Sequence, residues 1–424
     1  MDYGNVSFSI SAPGKVILIG EHSVTYKKQG IAASINKRTY LHFKEHKQAH
    51  DQITFKLMNN VTEWDFKSVY NLIILNKPLV VDNIKEFSIF TPELLRHEEF
   101  LDLIVDFVSQ KVESGNPIQK GVVGIFYIIL GMLWCTDINI TPYDIEVTTD
   151  LIIGAGTGSS ASFSVCVAGA VYHYIRLKAA EKHGSGEYNI SYEMFKPYKM
   201  NLAQHYCGFS AEDKEVINKW AFCVEKIIHG TPSGLDNTVC TFGNTVLINP
   251  IERQSESNLQ LLENFPSLRI LLVNTGIPRS TSELVKKVAD LHKLSPEGVG
   301  AVLVAMDSIA QEFIKLMQGL KENNDPSDVA AIYRRLELLV DLQQGLLTTI
   351  GVSHVRLDEI CQITKKRGLH SKLTGAGGGG NAITLVPSDV ASDVVEQTVA
   401  DLRSAGFQVD DIIVSGEGLS LDFK

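Results

Sequence analysis

The chain has 424 residues, more than one ordinary compact core accommodates, so two domains are the natural expectation. Hydrophobic residues make up 44% and charged residues 21%, the balance of an ordinary globular protein, and the net charge is −10. That charge argues against nucleic acid as the main partner, since such affinity rests on neutralising many phosphates with Lys and Arg; a bound phosphate must instead be held by backbone N–H groups, a helix N-terminus, a metal or a few lysines.

The first residues, MDYGNVSFSISAPGK, have neither the basic start and apolar stretch of a signal peptide nor the Arg-rich character of a transit peptide, so a cytoplasmic location is expected. VSFSISAP, RTYLHFKEH and QITFKLM read as strands. Within SAPGKVILIGEHSV (Ser11 to Val24), Pro13 and Gly14 punctuate a strand, and Lys15, Glu21 and His22 bracket the apolar run Val16 to Ile19. Taken alone, that segment reads as solvated surface.

A long helical region is expected from about Thr91 to Cys135. Its apolar run from Val122 to Cys135 is shorter than the roughly 20 residues a membrane span needs and reads as a buried core helix. The six cysteines, Cys135, Cys166, Cys207, Cys223, Cys240 and Cys361, are scattered singly, without zinc spacing, and read as free thiols of a reducing compartment.

The strongest signal is DLIIGAGTGSSASFSVCVAGAVYHYI (Asp150 to Ile175). A strand-like entry leads into Gly154, Gly156 and Gly158, then Ser159 and Ser160, then a helix of small apolar residues. Such a chain aims unpaired backbone N–H groups and a helix dipole at one anionic group, and the two hydroxyls can bond phosphate or magnesium. A Gly-rich turn at a tightly packed helix start is the plainer alternative. The Walker pattern and the protein-kinase HRD and DFG signatures are missing. A Rossmann reading lacks a clear second strand before Glu181.

EKHGSGEYN (Glu181 to Asn189) reads as an exposed connection. In INKWAFCVEKIIHGTPSGLDNTV, a helix puts Val216, Trp220, Cys223, Val224, Ile227 and Ile228 on one face at about 100° per residue, with Glu225 just past its edge. The helix should end near His229-Gly230, and the turn Pro232-Ser233-Gly234 should deliver Asp236 as the next acid. Glu225 and Asp236 can converge on one Mg²⁺-substrate site, or be two unrelated surface acids.

The polar stretch Glu252 to Gln260 marks the expected domain boundary, dividing the chain into residues 1–257 and 258–424. Then come a strand LRILLVNTG, a helix opened by a Ser280–Glu283 capping box, helices through Ile350 with an exposed connection at Lys321 to Asp328, a helix VRLDEICQITKKRG, and closing strands. KLTGAGGGGNAITLV packs five glycines into six residues between strand-like pieces; Gly375, Gly377 and Gly380 match GxGxxG literally, but a strand follows where a dinucleotide site needs a helix. The alternation of elements suggests an α+β rather than a doubly wound fold, and nothing repeats at a fixed period.

Together SAPGKVILIGEHSV, GAGTGSSAS, WAFCVEKIIHGTPSGLDNTV, NTGIPRST and KLTGAGGGGNAITL, in order from Ser11 to Leu385, resemble the GHMP kinase family, small-molecule kinases acting on galactose, homoserine, mevalonate or phosphomevalonate. HG-x-P-SG-x-D and PRST are most similar to the branch acting on mevalonate. The resemblance implies a ribosomal-S5-like N-terminal domain and a ferredoxin-like C-terminal domain, with the site between them. It implies that Gly154, Ala155, Gly156, Thr157, Gly158, Ser159, Ser160, Ala161 and Ser162 cradle ATP, that Ser160 and Glu225 hold Mg²⁺, and that Asp236 faces the substrate hydroxyl with Lys15 beside it. Glu21, His22, Arg279, Ser280, Thr281, Gly375 and Ala376 would lie toward the alcohol, with Arg279 the candidate for its carboxylate.

The resemblance also implies feedback inhibition by prenyl diphosphates, allows a homodimer, and implies neither nucleic acid nor membrane as partner. Another GHMP substrate, or a silent sensor on the same fold, are the rival readings. Family members usually carry Pro before the second motif, Leu within GLGSS and Cys-Gly in the last; here Ile152-Ile153, Thr157 and Asn381-Ala382 stand in those places.

Overall fold

The computed structural model describes residues 6–46, 51–80, 88–94, 97–183, 187–189, 199–201, 208–230, 232–249, 259–262, 265–323 and 325–422. The expected domain boundary at 257/258 and Cys207 lie outside these residues, as does most of the polar stretch from Glu252 to Gln260. In chain order the elements are β1 (Ser7–Ile19), β2 (Gly30–Glu45), β3 (Gln52–Leu57), β4 (Asn60–Asp65), α1 (Phe66–Val80), α2 (His97–Ser109), α3 (Gln119–Trp134), β5 (Tyr143–Thr149) and α4 (Ser159–His183). The short pair β6 (Glu187–Asn189) and β7 (Lys199–Asn201) precedes α5 (Ala211–His229), α6 (Leu235–Phe242), β8 (Thr245–Ile248), β9 (Leu259–Leu262) and β10 (Leu268–Asn274). Last come α7 (Thr281–Leu294), α8 (Pro296–Glu322), α9 (Pro326–Thr349), α10 (Val355–Lys366), β11 (His370–Thr374), β12 (Asn381–Val386), α11 (Ser392–Ser404), β13 (Gln408–Val414) and β14 (Ser420–Asp422).

The pairing is almost wholly antiparallel; among the described strands only β3 and β5 run parallel. This is the expected α+β architecture. β10, β11, β12 and β13 lie in the spatial order β11-β12-β10-β13, with α11 between β12 and β13, which is the ferredoxin-like arrangement. Two pairings tie the halves of the chain together: Val414 of β13 meets Ile35 of β2, and β14 returns to pair with β1, Ser9 opposite Asp422.

The N-terminal core is built round α3, buried at every position from Val122 to Trp134, as its unbroken apolar run requires. The helical region expected from Thr91 to Cys135 is divided, because residues 110–118 form turns in which Gly115 takes a positive φ of 89° and Pro117 lacks a backbone donor. β4 and α1 were not foreseen in the sequence. β1 runs straight through Pro13 and Gly14; the punctuation shows up as a register shift against β2 between Pro13 and Lys15. The connection between α8 and α9 falls where expected, and α9 opens on Asp325, whose carboxylate accepts the Ser327 N–H at 2.8 Å.

Candidate active site

Gly154, Gly156 and Gly158 all take positive φ, 77°, 81° and 77°, while Ala155 and Thr157 between them do not. Alternation of that kind folds successive peptide units into a concavity that faces an anion with its N–H groups. Immediately after it, Ser159 begins the 25-residue helix α4, whose first-turn amides have no intrahelical acceptor. The loop is fastened to β1: Lys15 N–H donates to Thr157 O at 2.8 Å and Ser162 Oγ to Ala12 O at 2.7 Å. Gly14 permits this approach, since a Cβ there would sit 2.7 Å from Thr157 O.

The nine loop residues therefore divide. Gly154 and Gly156 are exposed and Ser159 and Ser160 half-buried, whereas Ala155, Thr157, Gly158, Ala161 and Ser162 are buried. Ser162 is corrected from a ligand-facing residue to a fastener of α4, its hydroxyl being used on Ala12, and the Thr157 hydroxyl is buried without a partner.

α5 delivers the acid. Ser210 and Asp213 form a complete reciprocal capping box at its start, and Gly230, with φ 78°, ends it after His229. Val216, Trp220, Cys223 and Val224 are buried as the periodicity predicts, but Glu225, expected just past the edge, is buried with them. Its carboxylate accepts Ser160 Oγ–H and Ser164 Oγ–H, each at 3.2 Å. Burial, and then the negative charge of Asp236, push the Glu225 pKa up to about 7. Ser160 Oγ also lies 2.9 Å from His229 Nε2.

Asp236 stands in the first turn of α6, not on a free turn, behind Gly234 with φ 81°. Its Oδ1 lies 3.0 Å from the ammonium of Lys15, which is almost fully buried while the Asp236 carboxylate is half-open to water. Lys15, Asp236, Glu225 and Ser160 are thus brought to one place, with Ser160 and Glu225 offering two oxygens to a hard cation.

On the opposite side lies the second glycine loop. Arg279, largely withdrawn from water, threads between the two loops, donating to Thr374 O at 3.2 Å and Ala155 O at 3.3 Å. A Cβ on Gly156 would fall 1.6 Å from its guanidinium, so the loop and the arginine are shaped to one another. The expectation of a free cation for a carboxylate is corrected to this extent: part of its donor fork is spent on backbone carbonyls. Ser280 is also diverted, its hydroxyl accepting the Glu283 N–H at 3.3 Å to cap α7, while Thr281 is exposed.

His22 Nε2–H donates to Ala376 O at 2.8 Å, which brings His22 to Gly375 and Ala376 as expected. Glu21 does not join them. It is turned inwards onto the ammonium of Lys372, both side chains fully buried, because a carboxylate in so dry a place needs a cation.

Burial lowers the His22 pKa below its ordinary 6.5. Between the depressed folded value and 6.5 the unfolded chain binds the extra proton, so stability held above that range is lost as pH falls, by at most about 1.4 kcal/mol per unit. His22→Gln, which keeps an N–H but cannot titrate, is expected to flatten this acid limb in thermal melts. Identical acid limbs for the two proteins would remove His22 from the pH response.

The sequence reading missed Ser164, His229 and Thr374. Ser164 and His229 lie four residues beyond Ser160 and Glu225 on their helices, so helical spacing alone could have found them. Thr374, whose Oγ1 bonds both N–H and C=O of Ile17 at 3.1 and 2.9 Å, had no such signal.

Residues 313–402 match the family model described as GHMP kinases C terminal. The chain is 35% identical to mevalonate kinase of Bos taurus over 97% of this chain and 94% of the relative, and 33% identical to that of Homo sapiens over the same shares. In fold it is similar to L. major mevalonate kinase in complex with R-mevalonate (TM-score 0.59, 19% identity, 98% of each chain covered) and to Lactococcus lactis galactokinase complexed with galactose (TM-score 0.60, 16% identity, 98% and 95% covered). The glycine loop at the head of α4, the Lys15–Asp236 pair and Glu225 thus sit on a GHMP kinase fold, and with identity of this order along nearly its whole length the chain belongs to the mevalonate kinase family.

Proposed function

We infer that the chain transfers the γ-phosphoryl group of ATP to the primary hydroxyl of mevalonate, giving 5-phosphomevalonate, an early cytoplasmic step of isoprenoid and sterol synthesis. One observation carries the reading: a phosphate-shaped loop at the head of α4 lies beside Asp236, which Lys15 holds at 3.0 Å. Phosphoryl transfer leaves the protein little covalent work, so rate comes from positioning and from opposing the charge on the transferring group. The loop amides and the α4 terminus hold the phosphates. Lys15 faces the transferring group, and the Asp236 carboxylate orients the hydroxyl and accepts its proton. His22 and Arg279 border the alcohol's side, where a remaining guanidinium edge can meet the substrate carboxylate.

Mg²⁺ fits the donor set. Among the described residues no group of three or more His, Cys, Asp or Glu could hold a metal, and Mg²⁺ asks for less, one or two carboxylates completed by phosphates and water. Glu225 supplies the carboxylate, buried beside Ser160, whose Oγ lies 3.2 Å from it. Ser160 and Glu225 would hold the ion, which when bound with ATP would supply positive charge against the phosphates. Ser160→Ala and Glu225→Gln are each expected to raise the Mg²⁺ concentration needed for nucleotide binding and turnover by about tenfold or more. Unchanged magnesium titrations in both would move the ion elsewhere.

The reading is tested by ADP release with mevalonate, homoserine, galactose and phosphomevalonate in parallel; turnover confined to another alcohol, or none at all, would overturn it. A prenyl diphosphate offers the same cradle a diphosphate head, and each buried CH₂ of its tail contributes roughly 0.8 kcal/mol. Farnesyl diphosphate is therefore expected to compete with ATP and not with mevalonate, and geranylgeranyl diphosphate to bind at least as well as the geranyl form. A lowered Vmax with unchanged KM for ATP would refute this.

A further inference from the structure

The carbonyl of Ala155, inside the phosphate loop, receives two side chains from distant parts of the chain. Asn381 Nδ2 donates to it at 2.8 Å, and the Arg279 guanidinium at 3.3 Å. Asn381 is buried at 1% exposure, and its orientation follows from its other bond: its Oδ1 accepts from Asn274 Nδ2 at 2.9 Å, while Asn274 Oδ1 accepts the Gly276 N–H at 2.8 Å. That chain of donors and acceptors leaves the Asn381 amide one way to face, N–H toward Ala155. The residue opens β12, a strand flanked on both sides by β10 and β11, so the donor is mounted on a rigid part of the sheet.

A peptide unit is planar and trans, so its C=O and N–H point in opposite directions. Ala155 O and Gly156 N–H belong to one such unit. Pinning the carbonyl to Asn381 therefore aims the Gly156 N–H outward, into the concavity. The next unit but one is treated alike: Lys15 N–H holds Thr157 O at 2.8 Å and so turns the Gly158 N–H away from β1. In the second case the pin is a backbone N–H, which any residue but proline supplies, but in the first it is made by side chains, the shorter bond coming from Asn381 at 2.8 Å and the longer from Arg279 at 3.3 Å.

We propose that Asn381 is a positioning residue for phosphoryl transfer: by holding Ala155 O it fixes the direction of the Gly156 N–H, and with it the affinity of the loop for the phosphates of ATP. This rests on reading residues 154–162 as the nucleotide cradle.

The test compares Asn381→Ala and Asn381→Asp with the unaltered protein. Asn381→Asp keeps the size and the acceptor for Asn274 but removes the donor to Ala155, and so guards against a cavity effect. In both, KM for ATP is expected to rise about tenfold with KM for mevalonate within about twofold, and amides 156–160 to exchange hydrogen faster while β10 and β12 keep their protection. Equal rises in both KM values, or an unchanged KM for ATP in either folded variant, would overturn the assignment. Gly156→Ala, which strains a positive φ and collides with Arg279, separates the premise from the proposal. If it leaves ATP binding intact, the cradle reading fails; if it abolishes ATP binding while the Asn381 variants show no selectivity for ATP, the role of Asn381 fails alone.

Discussion

Asp236→Asn is expected to lower kcat by at least about a hundredfold while leaving the fold and ATP binding in place. The substitution preserves shape and removes one charge, so it asks only whether the carboxylate is needed. Its neighbours can tolerate the loss. Asp236 is half-open to water at the start of α6, and its charge disfavours ionisation of Glu225 while Lys15 favours it. Without Asp236, Lys15 is left with Glu225 as the remaining acid among its close partners, so the phosphate side of the site is no less cationic than before. The chemical step should suffer because an amide cannot accept the hydroxyl proton. Single-turnover kinetics with saturating ATP and mevalonate would measure this directly, and near-normal turnover would show that Asp236 does not take the proton.

Lys372→Met is expected to destabilise the protein by about 3–5 kcal/mol, the cost of leaving a buried charge uncompensated. Lys372 and Glu21 are both fully buried, and the pair is further tied by Lys372 to Leu373 O at 2.8 Å and by Gln343 to Glu21 at 3.4 Å. Burial alone lowers the Lys372 pKa, and the Glu21 charge opposes that shift, which is why the partners need one another. Removing both charges, with Lys372→Met and Glu21→Gln together, should recover most of the loss. The pair also brackets the side proposed for the alcohol: Glu21 precedes His22, Lys372 lies four residues before Ala376, and His22 donates to Ala376. The single variant should therefore raise KM for mevalonate as well as lower the unfolding midpoint. A denaturation curve within about 1 kcal/mol of the unaltered protein would mean that the pair is not buried in solution.

Features that depend on neighbours in the chain were legible in the residues themselves. The head of α4, the end of α5 at Gly230, the buried run of α3 and the glycine-rich turns each follow from backbone freedom, hydrophobic period or an unpaired N–H, all settled within a few residues. Even there the local rule reached only so far: Ser280 accepts from Glu283 as predicted, yet the complete reciprocal box forms at Ser210 and Asp213.

What the sequence left open are the pairings across long separations. Lys372 meets Glu21 over 351 positions, Asn381 meets Ala155 over 226, and Arg279 meets Ala155 over 124. Each of these side chains is as compatible with a solvated surface as with a buried partner when seen alone; which it becomes is decided by the sheet that brings β11 and β12 against β1 and the glycine loop before α4. A buried charge or amide has no stable state without its partner, so the choice is made by tertiary packing all at once. The residue types in the sequence thus determined that a glycine-rich loop would open α4 and that an acid and a lysine would be supplied, because those features are carried by short segments. Only the tertiary structure decided that Glu21 and Ser162 would serve the frame, and that Asn381 would reach the loop, because hydrogen-bond partners for buried groups are assigned by the fold and not by the chain.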